Sequence, residues 1–223
     1  MSVADITLAP LRQEICRVGR SLFERGYAHS TAGNISVRTD DGFLITPTDA
    51  CLGFLSPEQI AFVNLQGVQI SGQPASKTLS LHQAIYRADP EARCVIHTHS
   101  THLVALSLAG VWRPDDILPP LTPYYVMKVG HVPLVPYHRP GDPEMAATAA
   151  RMIESGIAEG KPLRALMMDR LGPNVWHGSL AAAMALLEEL EETARLWLLS
   201  GRAADPLGEA EIDDLRQRFK LRY

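Results

Sequence analysis

Asn34-Ile35-Ser36-Val37-Arg38-Thr39-Asp40-Asp41-Gly42-Phe43-Leu44-Ile45 is the stretch that decides the fold class. Residues Asn34–Arg38 alternate at a period of two, Asp40-Asp41-Gly42 has the chemistry of a tight turn, and Phe43-Leu44-Ile45 starts a second strand. The segment therefore reads as an antiparallel hairpin. The residues before it obey another period. Leu11, Ile15, Val18 and Leu22 recur at alternating steps of four and three, one stripe of a 3.6-residue repeat. That stripe predicts a helix from about Leu8 to Gly26, with Gly26 just past its end.

The same alternation of helix and hairpin continues along the chain. Ala61–Leu65 and Val68–Ile70, joined by Gln66-Gly67, make a second strand pair, and Leu79–Arg87 reads as a short helix closed by Asp89-Pro90. Cys94–His99 is a compact β-rich run, followed by a helix from Ser100 to Leu108 with Gly110 as its stop. Proline-rich Trp112–Gly141 should be mostly extended or looped. Asp142-Pro143-Glu144 then opens a helix with an N-cap, a first-turn proline and a first-turn acid. Leu163–Met168 reads as a buried strand. Gly178-Ser179 caps what reads as the longest helix, whose Leu180, Met184, Leu187, Leu190, Ala194 and Trp197 form one apolar stripe. A hinge near Gly201–Gly208 leads to a last helical segment ending in Arg216, Arg218, Lys220 and Arg222. With no repeat and no flexible linker, residues 1–223 read as one α/β domain with a C-terminal helical extension from about residue 202.

Composition bounds the function. The chain has 223 residues, 46% hydrophobic and 21% charged, enough to bury a real core and too mixed for disorder or membrane insertion. A net charge of -4 argues against a nucleic-acid partner. The opening MSVADITLAP lacks a basic stretch followed by an apolar one, and three scattered cysteines cannot build a disulfide framework. The expected compartment is the cytoplasm, with no membrane partner.

Chemistry concentrates in Cys94-Val95-Ile96-His97-Thr98-His99-Ser100-Thr101-His102. On a strand, His97 and His99 point to one face, where neutral imidazoles can be adjacent ligands of Zn²⁺, Mn²⁺ or Fe²⁺. An H-x-H pair by itself is more often a plain strand end. His102, one turn into the next helix, is a third ligand or a surface residue. Thr31-Ala32-Gly33-Asn34 and Thr46-Pro47-Thr48-Asp49 are turns rich in N–H and hydroxyl groups, suited to an anion or simply to reversing the chain. Ser76-Lys77-Thr78 offers a hydroxyl and a cation at a helix start, an oxyanion site or an ordinary cap.

The order of these phrases carries more than any one of them. Thr31–Ser36 (TAGNIS), Thr46–Thr48 (TPT), Ser76-Lys77 followed by His82, His97-Thr98-His99, and Gly172-Pro173 before a long Glu-rich helix resemble the class II aldolase/adducin-like superfamily. Cys51-Leu52-Gly53, Leu121-Thr122-Pro123-Tyr124, Val132–Tyr137, Arg139–Asp142 and Glu188–Ala194 are similar to its 3-oxo-tetronate 4-phosphate decarboxylase branch. The resemblance runs from about Leu11 to Leu199. It implies a three-layer αβα domain with a central, mainly antiparallel sheet, and a homotetramer with active sites at subunit interfaces. It also implies a divalent metal, Zn²⁺ first, on His97 and His99. Gly33, Asn34, Thr48, Ser76 and Lys77 fall on the phosphate side, and Lys77 and Tyr124 are the candidate catalytic residues. The implied ligand is a small phosphorylated sugar acid.

Three positions depart from the pattern. Asp49 stands where the family has Gly, Thr78 where it has the catalytic Glu, and Leu171 where it has the third histidine of an Asn-His-Gly-Pro phrase. Leucine cannot ligate a metal and threonine is no general base near neutral pH. The expectation is a lyase of the decarboxylase or aldolase type with altered or weakened metal chemistry and little decarboxylase activity, unless His102, Asp169 or Asp49 completes the ligand set. The alternatives are a non-catalytic member of the fold that binds a ligand or partners a subunit, and a metal-free enzyme using Lys77, Tyr124, His102 or His177 for proton transfer.

Overall fold

A computed structural model describes residues 3–221; Met1, Ser2 and Tyr223, together with Arg222 of the basic C-terminal run, lie outside it. Eight strands, β1 (Asn34–Arg38), β2 (Gly42–Ile45), β3 (Ala61–Asn64), β4 (Gln69–Ser71), β5 (Cys94–His97), β6 (Leu134–Val135), β7 (Ala165–Met168) and β8 (Gly172–His177), form one sheet in the order β4-β3-β2-β1-β5-β8-β7-β6. Every neighbouring pair is antiparallel except β6–β7. Seven helices accompany it: α1 (Val3–Glu24), α2 (Leu79–Ala88), α3 (Thr101–Ala109), α4 (Pro123–Lys128), α5 (Pro143–Ala158), α6 (Leu180–Leu199) and α7 (Glu209–Phe219). None is long and apolar enough to cross a membrane among the described residues.

The period-two alternation of the strands sorts the helices into two outer layers. Ile35, Val37, Cys94, Ile96, Ala165, Met167 and Val175 point to one face and pack against Ile15, Val18 and Leu22 of α1, Leu103 and Leu106 of α3, and the apolar side of α6. Val95, Leu166, Met168 and Trp176 point to the other face, against Leu81 and Ile85 of α2 and Met145, Ala149 and Ile153 of α5. The result is a three-layer αβα architecture around a mainly antiparallel sheet. A buried Asp89 at the end of α2 ties the second layer to the sheet, accepting hydrogen bonds from Trp176 Nε1 at 2.9 Å and from Arg164.

Four elements differ from the sequence reading. The first helix begins at Val3 rather than Leu8, runs through Pro10 and, at 22 residues, exceeds the 20 of α6, so α6 is not the longest. The Cys94–His99 run pairs only as far as His97. Within the proline-rich stretch, Thr122 caps the six-residue α4 by accepting from Tyr125 N–H. Strand β8 is the fourth difference: Gly172-Pro173 looks like a turn, yet both residues pair with β7 in the sheet interior. The Asp142 cap on α5 and the Ser179 cap on α6 sit where the sequence puts them.

Candidate metal and phosphate site

The cleft lies at one end of the central strands. Asn34, His97 and Asn174 are directly opposed across β1, β5 and β8, so their side chains share the α2/α5 face in one row. All three are buried. Around the row, three loops are sewn together by backbone bonds. Thr46 N–H donates to Ile35 O at 3.0 Å and Thr46 Oγ1 accepts from Ile35 N–H at 3.1 Å. Ser76 N–H donates to Thr46 O at 3.2 Å, and Thr48 N–H donates to Pro74 O at 2.9 Å. Gly33, with φ of +89, lets the first loop pass against β5: a Cβ there would stand 2.9 Å from His97 O.

The resulting cleft of about 220 Å³ brings together Gly33, Asn34, Thr48, Ser76, Lys77, His97 and His99. Asp49, Thr78 and Leu171 line it as well. Asp49 sits at φ +53, the left-handed conformation that its family counterpart, glycine, adopts without strain. Thr78 Oγ1 lies 2.9 Å from Ser76 Oγ, so the two hydroxyls satisfy each other. Tyr124 is not a wall of this cleft; it is exposed on α4 with Lys128 Nζ 5.2 Å from its ring centroid.

The two imidazoles meet as a ligand pair would. Their ring centroids are 5.0 Å apart with the planes at 68°. His97 Nδ1 lies 2.9 Å from Pro173 O. A carbonyl only accepts, so Nδ1 carries the proton and the Nε2 lone pair is left for a ligand. Burial, with His99 beside it and against the Pro173 bond, pushes His97 down to about 4. Burial, then His29, pushes His99 down too. Both rings are neutral near pH 7, the form that binds metal.

The donor chemistry suits a divalent ion, but only in part. Among the described residues no three His, Cys, Asp or Glu side chains already converge to hold one. Of the substitute ligands the sequence offered, Asp49 lines the cleft, whereas His102 and Asp169 are elsewhere, as is His177, the candidate for metal-free proton transfer. His102 is spent on Glu191, whose carboxylate accepts from His102 N–H at 2.9 Å and Leu103 N–H at 3.0 Å and lies 2.8 Å from His102 Nδ1, fixing the start of α3. His177 pairs with Cys94 at the far end of the strands, and Asp169 does not line the cleft.

Sequence reasoning also missed residues. Both amide atoms of Asn174, and Oδ1 of Asn34, are buried without a hydrogen-bond partner, an arrangement that a polar ligand would satisfy. The signal was a lone amide before Val175-Trp176, hidden because β8 went unread. His29 stands beside His99, their centroids 6.4 Å apart. A larger cleft of about 710 Å³ at the opposite end of β1 and β5 sets Leu8, Leu11, Val37, Phe62 and Leu180 beside Glu14, Asp40, Asp41 and Arg93, and its Arg38 is engaged with Tyr86 O and Pro90 O.

Behind the row, His82 is fully buried, its Nδ1 2.7 Å from Ser36 Oγ, which is also 2.7 Å from Tyr86 Oη. Burial, and secondarily His97, pushes His82 down to about 3. Between that value and the ordinary 6.5 the unfolded chain binds the extra proton, so stability is full above about pH 6.5 and falls as pH drops toward 3. In urea titrations at pH 7 and pH 5, His82→Gln should lose less stability on acidification than the unaltered protein. Equal losses would remove His82 from the explanation.

A model of the class II aldolase and adducin N-terminal domain matches residues 13–198. The chain belongs to this family. It is 55% identical over 224 residues, 97% of its own length and 99% of the relative's, to a Cupriavidus necator protein named 3-oxo-tetronate 4-phosphate decarboxylase. An Escherichia coli K12 protein of the same name is 41% identical, covering 92% and 95% of the two chains. The crystal structure of YgbL from Escherichia coli superposes with a TM-score of 0.84 at 40% identity, over 94% of this chain and 99% of that one. The class II aldolase architecture is thus shown by both sequence and shape.

Proposed function

We propose that this class II aldolase-family chain is a carbon–carbon lyase that decarboxylates a small phosphorylated β-keto sugar acid, 3-oxo-tetronate 4-phosphate or a near analogue. The observation that carries the reading is the meeting, in one cleft, of an imidazole pair with a hydroxyl, N–H and lysine pocket for an anion. Relatives of nearly the same length that bear the decarboxylase name support the substrate class. They lend nothing to a non-catalytic role.

Gly33 N–H, Asn34, Thr48, Ser76 and Lys77 hold the phosphate, which places the far end of a four-carbon acid over the His97–His99 pair. A divalent ion, Zn²⁺ by first choice, held in part by His97 and His99, would supply Lewis acidity toward a substrate carbonyl. Loss of CO₂ breaks the C–C bond, and its electron pair moves into the adjacent carbonyl to give an enediolate. A proton then adds at carbon and yields dihydroxyacetone phosphate. Lys77, and Tyr124 reaching in from a neighbouring subunit, are the proposed proton carriers. Thr78 weighs less against this reaction than against aldol cleavage, because a carboxylate that leaves as CO₂ has no proton to be taken. The unpartnered Asn34 Oδ1 and Asn174 amide stand in one row with His97, where polar groups of the substrate would lie.

The assembly proposed is a cytoplasmic homotetramer of single-domain subunits, its cleft completed by a neighbour's residues 112–141 and C-terminal segment. Exposed Tyr124, Tyr137 and Phe219 favour it. Light scattering at micromolar concentration should give four chains per particle, and a monomer would sink the shared cleft.

The test of function is release of CO₂ and dihydroxyacetone phosphate from 3-oxo-tetronate 4-phosphate by protein supplied with Zn²⁺. Lys77→Ala should weaken substrate binding by about 1–3 kcal/mol, the usual cost of a lost charge-assisted hydrogen bond. A protein that binds no phosphorylated or carboxylated sugar at all would overturn the reading and mark Asp49 as having closed the pocket.

A further inference from the structure

The charge that faces a ligand in the cleft is small and balanced. Among the described residues that line it, Asp49 is the one acid and Lys77 the one lysine or arginine. The imidazoles of His97 and His99 add no charge near pH 7, since burial pushes both down. Asp49 and Lys77 stand on two loops locked to each other, Thr48 N–H donating to Pro74 O at 2.9 Å and Ser76 N–H to Thr46 O at 3.2 Å. Those bonds occupy two amide groups that would otherwise help to neutralise an anion. The Asp49 carboxylate is exposed and makes no hydrogen bond or ion pair with the described residues, Lys77 included. A phosphate that enters this cleft therefore meets one cation and one unengaged carboxylate.

We propose that Asp49 is the specificity-determining residue of the anion pocket: its carboxylate accepts a hydrogen bond from a protonated phosphate. The chain then takes its ligand's phosphate as the monoanion and discriminates against anions of the same shape that carry no proton. A carboxylate only accepts, so a bare ligand oxygen beside it is repelled. For each ligand charge at about 4 Å the repulsion weakens binding by about fivefold in bulk water and about a thousandfold near a protein surface. A phosphate monoester can escape it. Its second ionisation falls near pH 6, so keeping one proton costs only about tenfold in affinity at pH 7. The O–H···O⁻ bond that results is of the strong, charge-assisted kind, and Lys77 then faces a ligand of single charge. When a dianion binds, the proton comes from solvent, and it returns there when the ligand leaves. A sulfate monoester matches the phosphate monoanion in shape and charge but has no proton to donate.

The proposal rests on the phosphate pocket of the lyase reading, but it is tested without turnover. Protein treated with a chelator, so that no ion competes for the anions, is titrated by calorimetry with methyl phosphate and with methyl sulfate. At pH 6 methyl phosphate should bind at least about 10-fold more tightly. At pH 8 its affinity should be about 50-fold lower, as the monoanion becomes scarce. Two buffers of different ionisation enthalpy should show close to one proton taken up per methyl phosphate at pH 8. Asp49→Asn keeps the shape of the side chain and suits the backbone, whose φ is +53. It should erase both the preference and the proton uptake. Lys77, His97 and His99, the other titratable groups of the cleft, are unaltered in that variant, so a pH dependence lost with Asp49 belongs to Asp49. Equal affinity for the two esters in the unaltered chain, or an Asp49→Asn protein that keeps the preference, overturns the proposal. So does an unaltered chain that binds neither ester; if Asp49→Asn then binds both, Asp49 shuts the pocket. A chain that shows the preference yet releases no CO₂ leaves Asp49 standing and sinks the decarboxylase. Turnover without the preference does the reverse.

Discussion

Replacing His97 with alanine is expected to lower the rate of CO₂ release by about 10³-fold or more. The substitution removes a ring whose Nε2 is aimed into the cleft by the Nδ1 bond to Pro173 O. Losses among groups that only orient a ligand cost about 10–100-fold, and a direct ligand should cost more. The effect should appear in kcat as well as in metal affinity, because the electron sink for the departing CO₂ is weakened along with the site. Stability should suffer much less. Pro173 O keeps Thr98 N–H at 3.4 Å as a donor, so the change leaves a small cavity and no wholly orphaned carbonyl, at a cost of about 1–3 kcal/mol. Steady-state kinetics beside a urea titration separates the two effects. An unchanged kcat in folded protein would mean that His97 does not touch the chemistry.

Gly172→Ala should be the most damaging change in the fold for its size. Gly172 has φ of +127, and a Cβ built there would lie 2.0 Å from Thr98 O and 3.2 Å from His99 Cα. Backbone on both sides leaves no flexible side chain to move aside. The strain of the φ value and the overlap together predict a loss of about 3–5 kcal/mol in unfolding free energy. Gly67 is the matched control: its φ is +80 and a Cβ would meet nothing within 4 Å. Alanine there should cost only the conformational penalty, about 1–2 kcal/mol. If the two variants lose the same amount, the close approach of β8 to the Thr98–His99 turn is not what requires glycine. Surviving Gly172→Ala protein should also bind metal poorly, since the displaced peptide carries His99.

Much of this molecule could be read from local pattern. The Asn34–Ile45 hairpin was legible because alternation, turn chemistry and β-branched residues agree over a dozen positions. The same alternation foretells the faces: Val95 and His97 share one, Ile96 the other, as the two cores show. Strand β8 was not legible, because Gly172 and Pro173 are turn residues by preference and only the pairing with β7 and the approach to Thr98 make them strand. That miss hid Asn174. The loops that line the cleft were visible as phrases in order, whereas the contact between His29 and His99 carried no local signal, since it joins residues distant in sequence. His102 shows the reverse failure. It sits three residues from His99 and looks available, yet a carboxylate from α6 has claimed it.

The row Asn34–His97–Asn174 belongs to three interior strands, while Thr48–Asp49 and Ser76–Thr78 hang from loops after β2 and β4, toward one edge of the sheet. On the proposed reading, chemistry and ligand choice are mounted on parts that can be exchanged separately. A library confined to residues 48–49 and 76–78 should shift preference among phosphorylated acids while leaving the imidazole rings in register, whereas one directed at β5 or β8 would spend most of its members on misfolding. For anyone who wishes to redirect this scaffold to a new acid, the edge loops are the place to evolve and the central strands the place to leave alone.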